Sequence, residues 1–195
     1  MSAVPKAKLT PVEYLAIERK AAFKSEFYHG EMFAMAGASE EHCLIKDNLA
    51  GETRHQLKGS TCRVVTSDLR VKVDRTGLYT YPDVVVYCDR PRFEDDTFDT
   101  LLNPRAIAEV LSPSTEAYDR GEKFTQYRQI PTLQEYVLVS QNRPLVERHV
   151  RQPDGSWLMT EFAGLEQVLE FASVPARVPL AEIYRDVAFP ETSLR

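Results

Sequence analysis

The sequence predicts an α/β protein whose mixed central sheet is flanked by helices, in the order helix, three strands, helix and strand. Two observations predict it. Residues 84–87, 106–111 and 135–140 are almost continuously apolar, as in strands that are covered on both faces. Segments with helical spacing of apolar residues precede the first of these strands and follow the second. An antiparallel hairpin is expected at each end of this core.

Length and composition bound the remaining possibilities. The 195 residues, 43% hydrophobic and 27% charged, suit a single domain over residues 1–195 with its core at about 10–189. The net charge of -5 counts against a strong non-specific DNA binder, but it does not exclude a nuclease with acidic metal ligands. With no secretory or bilayer-length apolar run, the expected location is the cytoplasm. There the cysteines (Cys43, Cys62 and Cys88) are expected to be reduced.

The N-terminal third contains two predicted helices and a hairpin between them. Thr10 is followed by Pro11 and Glu13, a capping-box pattern that starts a helix. A hairpin over residues 25–35 is expected to turn at residues 29–30. The longer helix starts at Ser39 and runs to about Lys58. In the hairpin, one face is expected to carry Glu26, Tyr28, Glu31 and Phe33.

Three strands are predicted next. Residues 62–73 form the first, residues 78–87 return as the second after a turn, and residues 106–111 form the third. The polar, acidic segment 91–103 is expected to be a surface loop.

The C-terminal half completes the core. Residues 116–129 are predicted to form a helix and residues 135–140 a buried strand. Residues 145–150 and 157–162 flank the turn at Pro153, Asp154 and Gly155 as an antiparallel hairpin, and residues 179–185 form a short closing helix.

Two acidic residues lie within apolar stretches of the sequence, where burial of an ionised side chain is unfavourable. Asp83 precedes Val84-Val85-Val86, and Glu109 lies within Ala-Ile-Ala-Glu-Val-Leu. A buried carboxylate is normally paired, protonated or bound to metal. One such acid alone is explained as well by a helix cap or an arginine partner. Two of them on neighbouring strands favour a Mg²⁺ site, in which Asp83 and Glu109 are the metal ligands.

Lys123 is the candidate cation for this site. It lies one helical turn after Asp119 and one before Tyr127, so the three share a face. Spacing alone favours an ordinary surface pair between Asp119 and Lys123. A catalytic lysine would instead stabilise the charge that develops on a phosphoryl group.

Longer motifs carry a family resemblance over roughly residues 10–189. Ser-Glu-Phe-Tyr-His-Gly-Glu at 25–31, Tyr-Pro-Asp-Val-Val-Val at 81–86 and Glu-Val-Leu-Ser-Pro-Ser-Thr at 109–115 resemble the Uma-type restriction endonucleases. Asp-Arg-Gly-Glu-Lys-Phe at 119–124, with Tyr127 and Glu-Tyr-Val-Leu-Val at 135–139, continues the pattern. That family is a branch of the PD-(D/E)XK nuclease superfamily, so the resemblance implies a restriction-endonuclease-like core.

The resemblance also implies roles for single residues. The superfamily places a lysine two residues after its glutamate, where this chain has Leu111, and the Uma-type pattern moves that lysine to Lys123. The superfamily's first acidic position would fall near Glu41 or His42, with Glu26 and Glu31 as rivals. The catalytic residues expected are Asp83, Glu109, Lys123, His42 and Glu26, although His42 is also explained as a structural hydrogen-bonding residue.

The expected activity is Mg²⁺-dependent hydrolysis of phosphodiester bonds in nucleic acid, with DNA as the expected substrate and Mn²⁺ as a substitute metal. The expected assembly is a homodimer in which the C-terminal hairpin around Trp157 supplies contacts. The alternative is a catalytically silent nuclease fold that binds nucleic acid or assembles with other chains. A hydrolase for small phosphorylated molecules is disfavoured because the sequence has no glycine-rich phosphate loop.

Overall fold

The structure, a computed structural model, describes residues 8–189. The helices are α1 (Pro11–Glu18), α2 (Glu40–Gln56), α3 (Glu116–Tyr118), α4 (Phe124–Tyr127) and α5 (Leu180–Ile183), and a π-helical turn (Asp119–Lys123) joins α3 to α4. The strands are β1 (Ser25–Tyr28), β2 (Glu31–Ala34), β3 (Cys62–Thr66), β4 (Arg70–Val73), β5 (Leu78–Thr80), β6 (Val84–Cys88), β7 (Thr100–Leu101), β8 (Ala106–Leu111), β9 (Glu135–Ser140), β10 (Leu145–Arg151), β11 (Trp157–Ala163), β12 (Val168–Glu170) and β13 (Arg177–Pro179).

Two larger sheets organise the molecule. The six-stranded sheet has the order β11-β10-β9-β8-β6-β3 and is mixed, because β8 and β9 are parallel and the other pairs are antiparallel. The five-stranded sheet has the order β2-β1-β5-β4-β7, and β12 and β13 form a separate pair. This is the predicted mixed α/β architecture with a hairpin at each end of the core.

The six-stranded sheet is covered on both faces. The alternate residues of β8 from Ala106 to Val110 pack with α2 and α5 in one hydrophobic core, while Ile107 and Leu111 lie in a second core with α4 and the five-stranded sheet. Since side chains alternate along a strand, Glu109 must point into this second layer. Its carboxylate is therefore buried between the two sheets and α4.

The prediction of one continuous strand over residues 62–73 and another over residues 78–87 is wrong. Each divides into a strand of the six-stranded sheet and a strand of the five-stranded sheet. The first break lies at Ser67, whose φ of 28° bends the backbone, and the second lies at residues 81–83. Pro82 in that break lacks the backbone N–H that a central strand requires. As a result, Asp83 lies at the point where the chain passes from one sheet to the other.

Most predicted boundaries agree with the structure. Thr10 forms the complete capping box of α1 with Glu13, and Ser39 caps α2 by accepting a hydrogen bond from the His42 backbone N–H. The hairpin of β1 and β2 turns at His29 and Gly30, with φ values of 51° and 85°, as a type I′ turn requires. The predicted loop 91–103 differs in one respect, because β7 within it pairs with β4 in parallel and buries Leu101.

The expectation of three reduced cysteines is wrong for two of them. Cys62 and Cys88 are direct partners in the pairing of β3 with β6, and their sulfur atoms form a disulfide. Spacing in the sequence could not indicate this pair, because cross-strand register brings the two residues together. Cys43 is a free thiol.

Within residues 8–189, no helix has the length and apolar character needed to cross a membrane.

Candidate active site

Asp83 and Glu109 are tied to each other by reciprocal hydrogen bonds across neighbouring strands. The Asp83 backbone N–H donates to Glu109 Oε2 at 3.1 Å, and the Val110 backbone N–H donates to Asp83 Oδ2 at 2.8 Å. The register of β6 and β8, in which Val84 is opposite Ala108, produces this arrangement at the start of β6. The two carboxylates that the sequence assigned to one site are thus adjacent.

Glu109 is almost completely buried, with 3% of its surface exposed. Its Oε1 accepts a hydrogen bond from the Tyr127 hydroxyl at 2.8 Å and lies 2.9 Å from Lys123 Nζ. Burial raises the pKa of Glu109 to about 8; the Lys123 ammonium opposes this shift, and the nearby carboxylates of Asp83 and Asp119 add to it. The site therefore contains a carboxyl group that any further positive charge would favour in its ionised form.

Lys123 lies among three carboxylates. Besides Glu109, its Nζ is 3.3 Å from Glu26 Oε1 and 3.4 Å from Asp119 Oδ1, and only 8% of its side chain is exposed. Burial disfavours the ammonium, but Glu109, Tyr127 and the other two carboxylates outweigh it and raise the pKa of Lys123 well above its ordinary value. The surface ion pair that spacing alone favoured is wrong, because the pair with Asp119 is buried.

The π-helical turn carries both of these residues. Asp119 and Lys123 are its first and last residues, and both are buried, while Gly121 between them is exposed. A π-helical turn makes i to i+5 hydrogen bonds, and such turns occur frequently at functional sites. This turn directs an acidic and a basic side chain toward Glu109 from a short helical segment.

His42 and Glu26 complete the network. His42 Nε2 is 3.0 Å from Asp83 Oδ1, so the first turn of α2 lies against the start of β6. Glu26, on β1, accepts hydrogen bonds from the Thr80 hydroxyl and, at 3.3 Å, from the Tyr118 hydroxyl, in addition to its contact with Lys123. The structure thus brings together all five residues that the sequence proposed as catalytic, from five separate elements or loops.

The rival positions lie outside this network. Glu31 is exposed on β2, and Glu41 interacts with Ser39 at the start of α2, where backbone and Ser39 hydrogen bonds lower its pKa. Asp68 is 86% exposed at its side chain and pairs with Lys24 at 2.5 Å, so it is a surface residue outside the site. Leu111, at the superfamily's usual lysine position, is buried.

The sequence did not assign four further residues of the network to the site. Asp119 and Tyr127 were noted for sharing a helix face with Lys123 and for their place in the family motif, but neither was given a role in the site. Thr80 and Tyr118 gave no signal, since a threonine in a strand and a tyrosine in a helix are common structural residues. Their positions follow from the packing of β5 and α3 against β1.

Asp83 and Glu109 are the residues of this network that could hold a divalent cation. Among the described residues, no three His, Cys, Asp or Glu side chains are arranged to hold a metal ion together. The Asp83 and Glu109 carboxylates offer four oxygens, and three of them accept a single hydrogen bond in the structure. Because each carboxylate oxygen has about two lone-pair sites, acceptor capacity remains on both residues. Two hard carboxylates plus water suit Mg²⁺, which seldom has an all-protein cage.

Comparison with known proteins shows which sequences this chain resembles. The Uma2 family model, described as "Putative restriction endonuclease", matches residues 11–181. Two uncharacterized proteins of Synechocystis sp. are each 39% identical to the chain; one alignment covers 95% of this chain and 96% of the relative, and the other 84% and 93%.

A crystal structure shows the same fold. The structure of a protein described as a putative nuclease belonging to DUF820, from Anabaena variabilis, superposes with a TM-score of 0.73 at 16% identity. The match covers 89% of this chain and 96% of that chain. The predicted restriction-endonuclease-like fold is confirmed.

Proposed function

The chain belongs to the Uma2 family of restriction-endonuclease-like proteins, and on that premise we propose that it is a Mg²⁺-dependent endonuclease that hydrolyses phosphodiester bonds in DNA. One observation carries the proposal: Asp83 and Lys123, far apart in sequence, each lie within hydrogen-bonding distance of the buried Glu109 carboxylate. Buried groups of this kind, with strongly perturbed pKa values, are typical of catalytic sites.

We assign the metal to Asp83 and Glu109. A bound Mg²⁺, for which Mn²⁺ can substitute, would polarise the scissile phosphate and lower the pKa of a bound water. Burial favours this assignment, because Glu109 carries a raised pKa that a nearby cation would oppose.

The other site residues act on orientation and charge. Lys123 holds Glu109 through Oε1 and supplies a positive charge next to the place where phosphoryl oxygens would gain negative charge. His42 holds the Asp83 carboxylate through Oδ1, and Glu26 holds the Lys123 ammonium from the opposite sheet. We propose that His42 and Glu26 are positioning residues whose loss would disturb Asp83 and Lys123.

Cleavage of supercoiled plasmid DNA tests the proposal. Wild-type protein is expected to nick or linearise the plasmid with Mg²⁺ or Mn²⁺ and not with EDTA, whereas Asp83→Asn and Glu109→Gln should abolish cleavage. Asp68→Asn is the matched control, because that aspartate pairs with Lys24 at the surface. Equal residual cleavage by wild type and both site variants would identify a contaminating nuclease and contradict the proposal.

The second candidate is a nuclease fold that binds or assembles without cutting. The net charge of -5 favours the non-cutting protein over the DNA-cleaving enzyme, because enzymes that act on nucleic acid often carry a basic surface. Calorimetry separates the two: an enzyme should bind Mg²⁺ or Mn²⁺ with heat that is lost in Asp83→Asn. A silent fold should show no binding that depends on Asp83.

We also propose a homodimer that pairs through β11. This strand is an edge of the six-stranded sheet, and its Leu158 and Met159 are exposed. Trp157, the expected contact, is less available because its ring packs edge-on against Phe124 at 5.3 Å and beneath the Arg151 guanidinium at 4.7 Å. An unpaired edge can add the same strand of a second copy in antiparallel register. Sedimentation at micromolar concentration tests this, and loss of the dimer in Met159→Lys is expected.

We propose the cytoplasm as the compartment of this activity, and in that reducing compartment Cys62 and Cys88 would be a pair of thiols. Cell fractionation with a cytoplasmic and a secreted marker checks it, and recovery with the secreted marker would contradict it.

A further inference from the structure

An exposed apolar segment runs from the end of β2 to the start of α2. Residues 33–39 are all exposed and read Phe-Ala-Met-Ala-Gly-Ala-Ser, with no charged side chain among them. Phe33 exposes 51% of its surface and Met35 exposes 37%. Large apolar side chains that stay in water beside a candidate site require an explanation, because burial of each would be favourable.

The backbone register places Phe33 next to the catalytic network. Glu26 on β1 is directly opposite Phe33 on β2, so the two side chains leave the same face of the sheet. Glu26 reaches Lys123 Nζ at 3.3 Å, and its other carboxylate oxygen accepts from the Tyr118 hydroxyl at 3.3 Å. Phe33 and the partly buried ring of Tyr118 therefore flank Glu26 at the rim of the site.

The cations near this rim are already neutralised. Lys123 is surrounded by carboxylates, and three other basic side chains close to the site in sequence have acidic partners: Lys24 with Asp68, Lys46 with Asp47, and Arg120 with Glu116 and Glu147. Arg54, near the C-terminal end of α2, donates instead to the Val64 carbonyl. A protein that binds duplex DNA normally contacts several phosphates with free lysines or arginines. The rim therefore suits contact with a base through its aromatic side chains better than contact with the phosphates of two strands.

We propose that Phe33 is a base-stacking residue and that the site takes an unpaired nucleic-acid strand in preference to a duplex. The ring offers a flat apolar face to a nucleobase, and every base can stack on it regardless of sequence. In a duplex both faces of each internal base are already covered by its neighbours, so stacking on Phe33 would require unstacking. This inference rests on the proposed nuclease function, since it names the substrate class of the same site.

Binding is measured without metal so that it does not depend on cleavage. Fluorescence anisotropy in EDTA compares a labelled oligothymidine strand of twelve nucleotides with a blunt duplex of twelve base pairs. Wild type should bind the single strand more tightly. Phe33→Ala should weaken single-strand binding by roughly 5- to 150-fold and leave duplex binding unchanged, since stacking on one aromatic side chain has that effect.

Phe98→Ala is the matched control. Phe98 is 63% exposed on the loop between β6 and β7, where it packs edge-on against Phe93 outside the network. Its loss should leave the affinity for either ligand unchanged. An equal loss of affinity in both variants would show a general effect of surface aromatics and overturn the assignment.

A spectroscopic readout detects stacking directly. Trp157 is the single tryptophan of the chain, so Phe33→Trp in a Trp157→Phe background carries one fluorophore at the rim. The single strand should quench its emission, and the duplex should not. Circular dichroism of each variant confirms that it is folded before binding is compared.

The outcomes separate this inference from the proposed function. Asp83-dependent cleavage together with Phe33→Ala binding that equals wild type would overturn the stacking inference alone. Phe33-dependent binding of the single strand without any metal-dependent cleavage would overturn the nuclease proposal and support the stacking inference. Binding of neither ligand by wild type, or a change from dimer to monomer in Phe33→Ala with unchanged affinities, would overturn the inference and assign this surface elsewhere.

Discussion

Substitution of Lys123 by methionine removes the ammonium that three buried carboxyl groups share. Methionine keeps the length and the apolar stem of the side chain, so the change is mainly one of charge. The partners left behind are Glu109, Glu26 and Asp119, at 2.9, 3.3 and 3.4 Å from the lost Nζ. Their side chains are 4%, 12% and 5% exposed, so water cannot replace the lysine.

The folded variant can restore its charge balance by taking up one proton more than the wild-type cluster binds at the same pH. With an unfolded glutamate pKa of about 4.3, the free energy cost of that proton is about 5 kcal/mol at pH 8 and about 2 kcal/mol at pH 6. Breaking a buried ion pair typically costs a similar 3–5 kcal/mol. The pKa of the protonated group is raised in the folded state, so stability is greatest below the unfolded pKa and falls as pH rises. The loss relative to wild type should therefore grow by about 1.4 kcal/mol per pH unit.

Urea unfolding followed by circular dichroism from pH 6 to pH 8 measures this loss. Lys24→Met is the matched control, because Lys24 pairs with the exposed Asp68 and should cost about 1 kcal/mol or less. A loss below about 1 kcal/mol at pH 8, or a loss that does not change with pH, would refute the reasoning that Lys123 is the sole neutralising charge of the cluster.

Three further predictions concern the scaffold. Asp99→Asn should destabilise the protein by about 2 kcal/mol at neutral pH, since two arginines hold the pKa of Asp99 far below its usual range. This stabilisation is present above the pKa of the unfolded chain and is lost as pH falls toward the pKa of the folded protein. The free energies of unfolding of wild type and variant should therefore converge in acid. Reduction of the Cys62–Cys88 disulfide, with a sequence separation of 26, should lower the free energy of unfolding by about 3.5 kcal/mol. Urea unfolding with and without a reductant measures this difference, and Cys43→Ser should not change it. Gly30→Ala should lower the melting temperature and cost about 1–3 kcal/mol of stability, because φ is 85° and the new Cβ would lie 2.5 Å from Lys8 Cβ. Gly59→Ala, at φ 82° in open space, should cost about 1 kcal/mol. Equal losses of stability in the two variants would contradict the steric argument.

Local chemistry made much of the fold predictable. The capping box at Thr10 and Glu13 and the His29-Gly30 turn are each determined by neighbouring residues, so the sequence alone predicts them. The same holds for the buried strands β8 and β9, whose short, mostly apolar runs are typical of a strand covered on both faces. Long strands were harder, because polar and apolar residues alternate over 68–73 and nothing local shows that the chain changes sheets at Ser67.

The sequence by itself determined which groups are chemically out of place. Asp83 and Glu109 are acidic residues with apolar neighbours in the sequence, and this can be seen without a structure. Only the tertiary structure decided what surrounds them, because β6–β8 register, the position of β1 and the π-helical turn are set by contacts between distant segments. Lys123 illustrates the difference: on its helix it has one neighbour of opposite charge, Asp119, whereas in the folded protein it has three. Electrostatic environment depends on distance in space, which the order of residues along the chain does not encode.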